Sequence, residues 1–256
     1  MHFHRDSSAS PLNDKQAAVI VCHSEHFIPA EESHHYHSLP LDLRGGAWYN
    51  RRMEENYCVI FGGHGDDAPR VKFGKDALVL SDVGGFYKAV ACGVVPDAVV
   101  GDFKDGATLD TDEFVVKIER DKADGALFAA VKVGLRRELK TFVIYNAAGG
   151  LAATADCFAA LDYLDIHGAR GFVIDGDTVA TVFSDGKLTL PKTTRGDVSA
   201  FAYGGAAEGV SAKGFDGALD ATLSAEQPPA PLRIADGGRG ATVSVKRGAL
   251  LVVFPR

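Results

Sequence analysis

Residues 79–124 constrain the fold of this chain more than any other stretch. An apolar run, Val79-Leu80, closes on Ser81-Asp82 and is followed by Val83-Gly84-Gly85. Pro96 then restarts the chain into a second run, Ala98-Val99-Val100, that closes on Gly101-Asp102. Such runs describe buried strands of a parallel sheet, with glycines at their tips that let the backbone approach a ligand closely. Strand ends of this kind place Asp82 and Asp102 at the carboxyl edge, where open α/β sheets bind ligands. Asp121 and Asp124, three apart at the start of an expected helix, share a face and reach the same edge. Carboxylates gathered in one crevice repel one another unless a hard cation such as Mg²⁺, usually carrying phosphates, lies between them.

Around that stretch apolar runs alternate with helical periodicity. Strands are expected at residues 57–61, 76–80, 98–100, 141–145 and 171–174, and helices at 86–92, 123–133 and 152–163. Strands alternating with helices pair in parallel through right-handed crossovers, so both sheet faces are covered. The loop Gly62-Gly63-His64-Gly65 lacks the Gly-Lys-Ser/Thr of a phosphate loop and is either a ligand-adjacent loop or a plain turn. After Asp175 the pattern shortens to strand-like runs at 178–183, 187–190, 197–203, 241–245 and 250–254, separated by Asp-Gly, Gly-Gly and Arg-Gly turns. Asp185-Gly186 is a two-residue hairpin signal.

The expected fold class is therefore α/β, with a Rossmann-like parallel-sheet domain at 57–175 followed by a smaller all-β sandwich domain at 176–256. Residues 1–56 form a His-rich extension holding His2, His4, His23, His26, His34, His35 and His37. A polar surface extension is expected there in preference to a metal centre, because histidine spacing alone fixes no tetrahedral geometry. Residues 17–22 suit an added edge strand.

Composition removes whole classes of function. A net charge of -7 argues against a nucleic-acid surface. No apolar run approaches the roughly 20 residues that span a bilayer, and the opening residues lack the apolar centre of a secretion signal. Cytoplasmic residence without a membrane partner is the expectation. Cys22, Cys58, Cys92 and Cys157 form no C-x-x-C pair, so neither a zinc ribbon nor a disulfide scaffold is indicated.

Gly93-Val94-Val95-Pro96-Asp97-Ala98-Val99-Val100-Gly101-Asp102-Phe103 and Asp121-Lys122-Ala123-Asp124 resemble two motifs of the thiamine pyrophosphokinases, Gly-x-x-Pro-Asp-x-x-x-Gly-Asp-Phe-Asp-Ser and Asp-x-Thr-Asp. The resemblance covers residues 57–256. That family moves a diphosphate from ATP to the hydroxyl of thiamine. The resemblance implies Asp102, Asp121 and Asp124 as catalytic acids and Mg²⁺ ligands, and ATP as co-substrate. It implies nucleotide contacts at Gly84, Gly85, Lys104, Asp105, Lys122, Gly149 and Gly150. It places the acceptor, thiamine or a related small-molecule alcohol, at Arg233 and Ile234, in a homodimer whose acceptor pocket draws on the β domain of the second copy.

Several polar positions of the family are changed here. Its first motif acid, in Asp-Gly-Gly, falls on Val83, leaving Asp82 one residue early and serviceable only if the strand end bends. The second aspartate of Gly-Asp-Phe-Asp-Ser is Lys104, and the serine is Asp105. Gly-Gly-Arg-x-Asp-His aligns with Gly149-Gly150-Leu151-Ala152-Ala153-Thr154, unless a shift brings Asp156 into the acidic position. Ser-Asn-Glu before the last strands is matched by Arg233-Ile234-Ala235. Two functions stay open on these residues: an ATP-dependent diphosphotransferase, and a non-catalytic nucleotide- or ligand-binding protein on the same fold.

Overall fold

The computed structural model describes residues 20–21, 57–65, 73, 77–101, 103, 114–117, 125–235 and 240–256. The first half builds strands β1 (Ile20–Val21), β2 (Tyr57–Phe61), β3 (Ala77–Asp82), β4 (Ala98–Gly101), β5 (Phe114–Lys117), β6 (Thr141–Tyr145) and β7 (Arg170–Asp175). Helix α1 (Val83–Ala91) joins β3 to β4, α2 (Ala126–Arg136) precedes β6, and α3 (Leu151–Ile166) joins β6 to β7. Side by side the strands run β1-β5-β4-β3-β2-β6-β7, every pair parallel. The chain steps outward from β2 through β3, β4 and β5, then returns to the other side of β2 for β6 and β7. Strand order thus reverses between β2 and β6, the place beyond the carboxyl ends where open α/β sheets bind ligands.

Alternation along the strands decides what packs where. Val59, Phe61 and Val79 meet Ala89 of α1 on one face. Cys58, Ile60, Leu78 and Leu80 share the other with Ala129 and Ala130 of α2 and Cys157, Ala160, Leu161 and Leu164 of α3. Small residues let the helices close on the sheet: a Cβ on Gly134 of α2 would run into the Phe142 ring. Helices on both faces are what a buried parallel sheet needs. The edge strand expected within 17–22 is present as β1, parallel to β5. Helix α1 starts at Val83, ahead of the expected residue 86, because Asp82 caps it directly at the strand end.

The second half contributes β8 (Thr178–Ser184), β9 (Lys187–Thr189), β10 (Asp197–Lys213), β11 (Leu219–Leu223), β12 (Ala230–Arg233), β13 (Thr242–Ser244) and β14 (Arg247–Pro255). A tight turn at Gly176 (φ 57°) folds β8 back antiparallel on β7, and β14 and then β10 continue the ladder. Hydrogen bonding therefore runs across residue 175 into a mixed sheet of α/β class. The core does likewise, since Val179, Phe183, Leu250, Val252 and Phe254 belong to the same buried cluster as Phe61 and Ala89.

Two expected turns are corrected. Asp185-Gly186 does not close a hairpin, because β8 pairs with β7 and β14 while β9 pairs with β13. Gly204-Gly205 does not end the strand begun at Asp197, which continues to Lys213. Gly204 (φ 68°) and Gly209 (φ 61°) adopt left-handed backbone, and the register against β14 shifts between Tyr203 and Glu208. Such a bulge bends a strand without stopping it. The first part of β10 pairs with β14 and β12, and the part beyond the bend with β11 and β13. Strands β5, β11 and β12 carried no sequence signal strong enough to mark them.

Candidate functional site

Loops from β2, β3 and β6 meet at the carboxyl edge where strand order reverses. Asp82 is both the last residue of β3 and the N-cap of α1, with extended backbone (φ -79°, ψ 176°). One carboxylate oxygen accepts the Gly85 N–H at 2.5 Å, and the other accepts the Gly63 N–H at 2.9 Å. The first bond satisfies an orphan donor of the helix, as N-caps do; the second ties that helix end to the loop after β2. The backbones touch: a Cβ on Gly84 would lie 2.8 Å from Gly63 Cα, and one on Gly85 would run into the Phe61 carbonyl. The strand ends at Asp82 and the helix begins at the next residue, so its carboxylate lies at this edge in contact with both the helix start and the loop after β2.

The β6 side closes the junction. Gly62 N–H donates to Tyr145 O and His64 N–H to Asn146 O, each at 2.8 Å, extending the pairing of β2 and β6 past the strand ends. Asn146 is buried in left-handed backbone (φ 53°). A Cβ on Gly65 would lie 3.3 Å from Asn146 Oδ1 and 3.8 Å from Asp175 Oδ1. Gly149 faces His64 so closely that a Cβ there would run into the Cβ and ring of that histidine. Gly150 (φ 96°) begins α3 with no side-chain cap and no acid in the first turn. Among the described residues the first N–H groups of α3 carry no side-chain cap and are available to an anion, whereas α1 already holds the Asp82 carboxylate.

Tyr145 supports the junction from below, stacked on Phe61 at 5.6 Å between centroids, with Phe73 edge-on to both. Burial pushes its hydroxyl up to about 12, so it stays a neutral phenol. Burial, reinforced by Asp156 and Asp175, likewise pushes the Cys157 thiol up to about 12, and this cysteine is no thiolate nucleophile near neutral pH.

Of the residues singled out in the sequence, Gly84, Gly85, Gly149 and Gly150 are brought together here. Asp102, Lys104, Asp105, Asp121, Lys122 and Asp124 lie outside the described residues. Asp102 directly follows Gly101, the last residue of β4, and Gly125, which directly follows Asp124, is the N-cap of α2. Arg233 ends β12 with its guanidinium exposed and 3.3 Å from Asp197, while Ile234 is 8% exposed and belongs to the core. Asp156 sits in the second turn of α3, and Leu151 at the first position of that helix is 93% exposed. Asn146 and the Asp82 bridge were missed in the sequence, although a polar residue closing an apolar strand and an Asp-x-x-Gly at a helix start are readable signs of both.

Among the described residues, no group of His, Cys, Asp or Glu is placed to hold a metal ion. As a donor set, Asp102, Asp121 and Asp124 offer hard carboxylate oxygens, the type that Mg²⁺ takes. Among the described residues, no helix is long and apolar enough to cross a membrane.

No protein-family model and no curated protein sequence matches the chain. Solved structures do. Thiamine pyrophosphokinase from Bacillus subtilis superposes with a TM-score of 0.68 at 17% identity, covering 78% of this chain and 98% of that one. Yeast thiamin pyrophosphokinase gives 0.66 at 10% identity over 90% of this chain and 94% of the other. Thiamin pyrophosphokinase from Candida albicans gives 0.62 at 11% identity over 79% and 90%. The chain carries the fold of the thiamine pyrophosphokinases.

Proposed function

We propose that this protein is a thiamine pyrophosphokinase-like transferase, moving a diphosphate from Mg²⁺-ATP to the hydroxyl of thiamine or a related small-molecule alcohol. The observation that carries the proposal is the glycine junction at the strand reversal, on a fold shared with thiamine pyrophosphokinases. In this reading residues 57–175 are the nucleotide-binding unit, 176–256 the β unit that helps hold the acceptor, and 1–56 an extension with no part in the chemistry. Gly84, Gly85, Gly149 and Gly150 let backbone approach the nucleotide, and the open N-terminus of α3 favours its phosphates. Lys104 and Lys122 supply positive charge as point donors, and Asp105 accompanies them. Arg233 borders the acceptor, with Ile234 packed in the core beside it.

In the reaction, the acceptor oxygen forms a bond to the β-phosphorus of ATP while the bond from that phosphorus to the α,β-bridging oxygen breaks. AMP leaves, and the hydroxyl proton passes to solvent. Positioning and charge neutralisation supply nearly all the catalysis in phosphoryl transfer of this kind. Asp102, Asp121 and Asp124 would hold Mg²⁺, which when bound neutralises developing charge on the phosphates. The active unit is proposed to be a cytoplasmic homodimer. An end-point assay with Mg²⁺-ATP and thiamine, reading AMP and the diphosphorylated acceptor, tests the proposal. AMP formed only with acceptor present is the expected result, and none formed with any primary alcohol in a small panel defeats it.

A second reading, a nucleotide binder without turnover, is favoured by the state of Asp82 and Leu151. Both oxygens of the carboxylate are taken by backbone N–H groups, and a bare leucine side chain occupies the rim of α3. Tight binding of a non-hydrolysable ATP analogue without AMP release from ATP would select it.

A further inference from the structure

We propose that His64 meets the phosphate chain of a nucleotide bound at the glycine junction, an assignment that rests on the nucleotide reading above. The loop after β2 places His64 between the β2 and β6 strand ends, its N–H bonded to Asn146 O at 2.8 Å. Its Cβ and ring pack directly on Gly149, so the base of the side chain is fixed while the residue stays exposed. Among the described residues the imidazole makes no hydrogen bond or ion pair. The first turn of α3 beside it offers Leu151, Ala152, Ala153 and Thr154, none of them charged. Thr154 spends its hydroxyl on Gly150 O at 2.9 Å. Among the described residues, His64 is therefore the side chain of this loop pair with a donor to spare. A neutral imidazole carries one N–H and a protonated one two, whereas phosphate oxygens accept, so the groups are complementary. The adjoining glycines let a phosphate chain come close enough to the backbone for that donor to reach it.

Calorimetric titration with Mg²⁺ and a non-hydrolysable ATP analogue, run in parallel with adenosine, tests the assignment on the full chain. His64→Ala keeps the Cβ that rests on Gly149, so its melting midpoint should match that of the unchanged protein. Affinity for the analogue should fall about tenfold or more, adenosine binding should be unaltered, and His64→Gln, which retains an N–H donor, should keep most of the affinity. Equal analogue affinity in the alanine variant overturns the assignment. A parallel loss for adenosine and analogue also overturns it, because the histidine would then be shaping the loop. No analogue binding by the unchanged protein overturns the nucleotide reading itself, and this assignment with it.

Discussion

Gly149 shows how much of this site is decided by single atoms. Its missing side chain leaves room for His64, and the obstructed atoms include the histidine Cβ, which a change of rotamer does not clear. Gly149→Ala should therefore cost about 1–3 kcal/mol in urea unfolding. Adding His64→Ala should not recover that stability because the Cβ remains, whereas adding His64→Gly should recover most of it; recovery by alanine would place the conflict in the ring. Asp82 is the second such position, with two backbone donors on one carboxylate. Asp82→Ala should lose about 1–2 kcal/mol of capping free energy, and more through the unpaired Gly63 N–H. Asp82→Asn should fall between, since an amide oxygen can replace one acceptor and its NH₂ cannot replace the other. Equal midpoints for all three proteins would show that the bridge contributes nothing. The glycines were visible in the sequence because each closes an apolar run. The contact between His64 and Gly149 was not, because nothing local to either residue announces a partner so far along the chain.

Elements were legible in proportion to how completely they are buried. Strand β2, buried at every residue, reads directly from Tyr57-Cys58-Val59-Ile60-Phe61. Strand β12 holds Pro231 and, among the described residues, pairs with β10 alone, an edge position where a missing N–H is tolerated but the sequence reads as a break. At β10 a Gly-Gly pair serves a turn and a bulge equally well, and pairing with β14 on one side of the bend and β11 and β13 beyond it decides for the bulge. Helix α3 carries its own pH dependence. Asp165 is pushed above the usual carboxylate range by burial, partly offset by the Ser184 hydroxyl at 2.5 Å and by Arg170. Asp162, one turn earlier, is raised by burial and by the charge of Asp165. A carboxyl raised above its unfolded value of about 3.9 holds its proton longer in the folded state, so its stabilising contribution is full below that value and is lost as pH rises through the folded one. Asp165→Asn, which still accepts from Ser184, should therefore gain on the unchanged protein in urea midpoint over a window that opens at about pH 4, where the unfolded carboxyl ionises, and closes at the raised folded value. A constant difference across that window would mean that Asp165 titrates normally.

At the scale of the whole molecule, the α/β class followed from the alternation of strands and helices, but the continuity of the sheet past residue 175 did not. The length of β10 and the β7–β8 hairpin decide it, and both depend on glycine conformations that sequence leaves ambiguous. That continuity leaves a particular surface. Helix α3 packs over β7 and β8, and the same sheet face then runs on over β14 and β10 as partly buried Ala249, Val253, Phe201 and Tyr203 beside Leu251. The cross-strand pairs Ser199 with Val253, Phe201 with Leu251 and Tyr203 with Ala249 put these side chains in one apolar band. The proposed homodimer would be most economically built by two such bands meeting face to face, since a self-complementary patch closes a two-fold assembly. Sedimentation at micromolar concentration should then give about twice the 27.1 kDa chain mass. Tyr203→Arg is the informative variant: partial burial first, and the charge of Asp162 second, raise the Tyr203 hydroxyl, so a cation there gains a carboxylate to offset its partial burial in the folded monomer, while an interface would have to bury it fully. The expected outcome is a chain of single mass with an unshifted melting midpoint at low concentration. A dimer unaffected by this change would place the contact on another face, and a monomeric unchanged protein would defeat the assembly altogether.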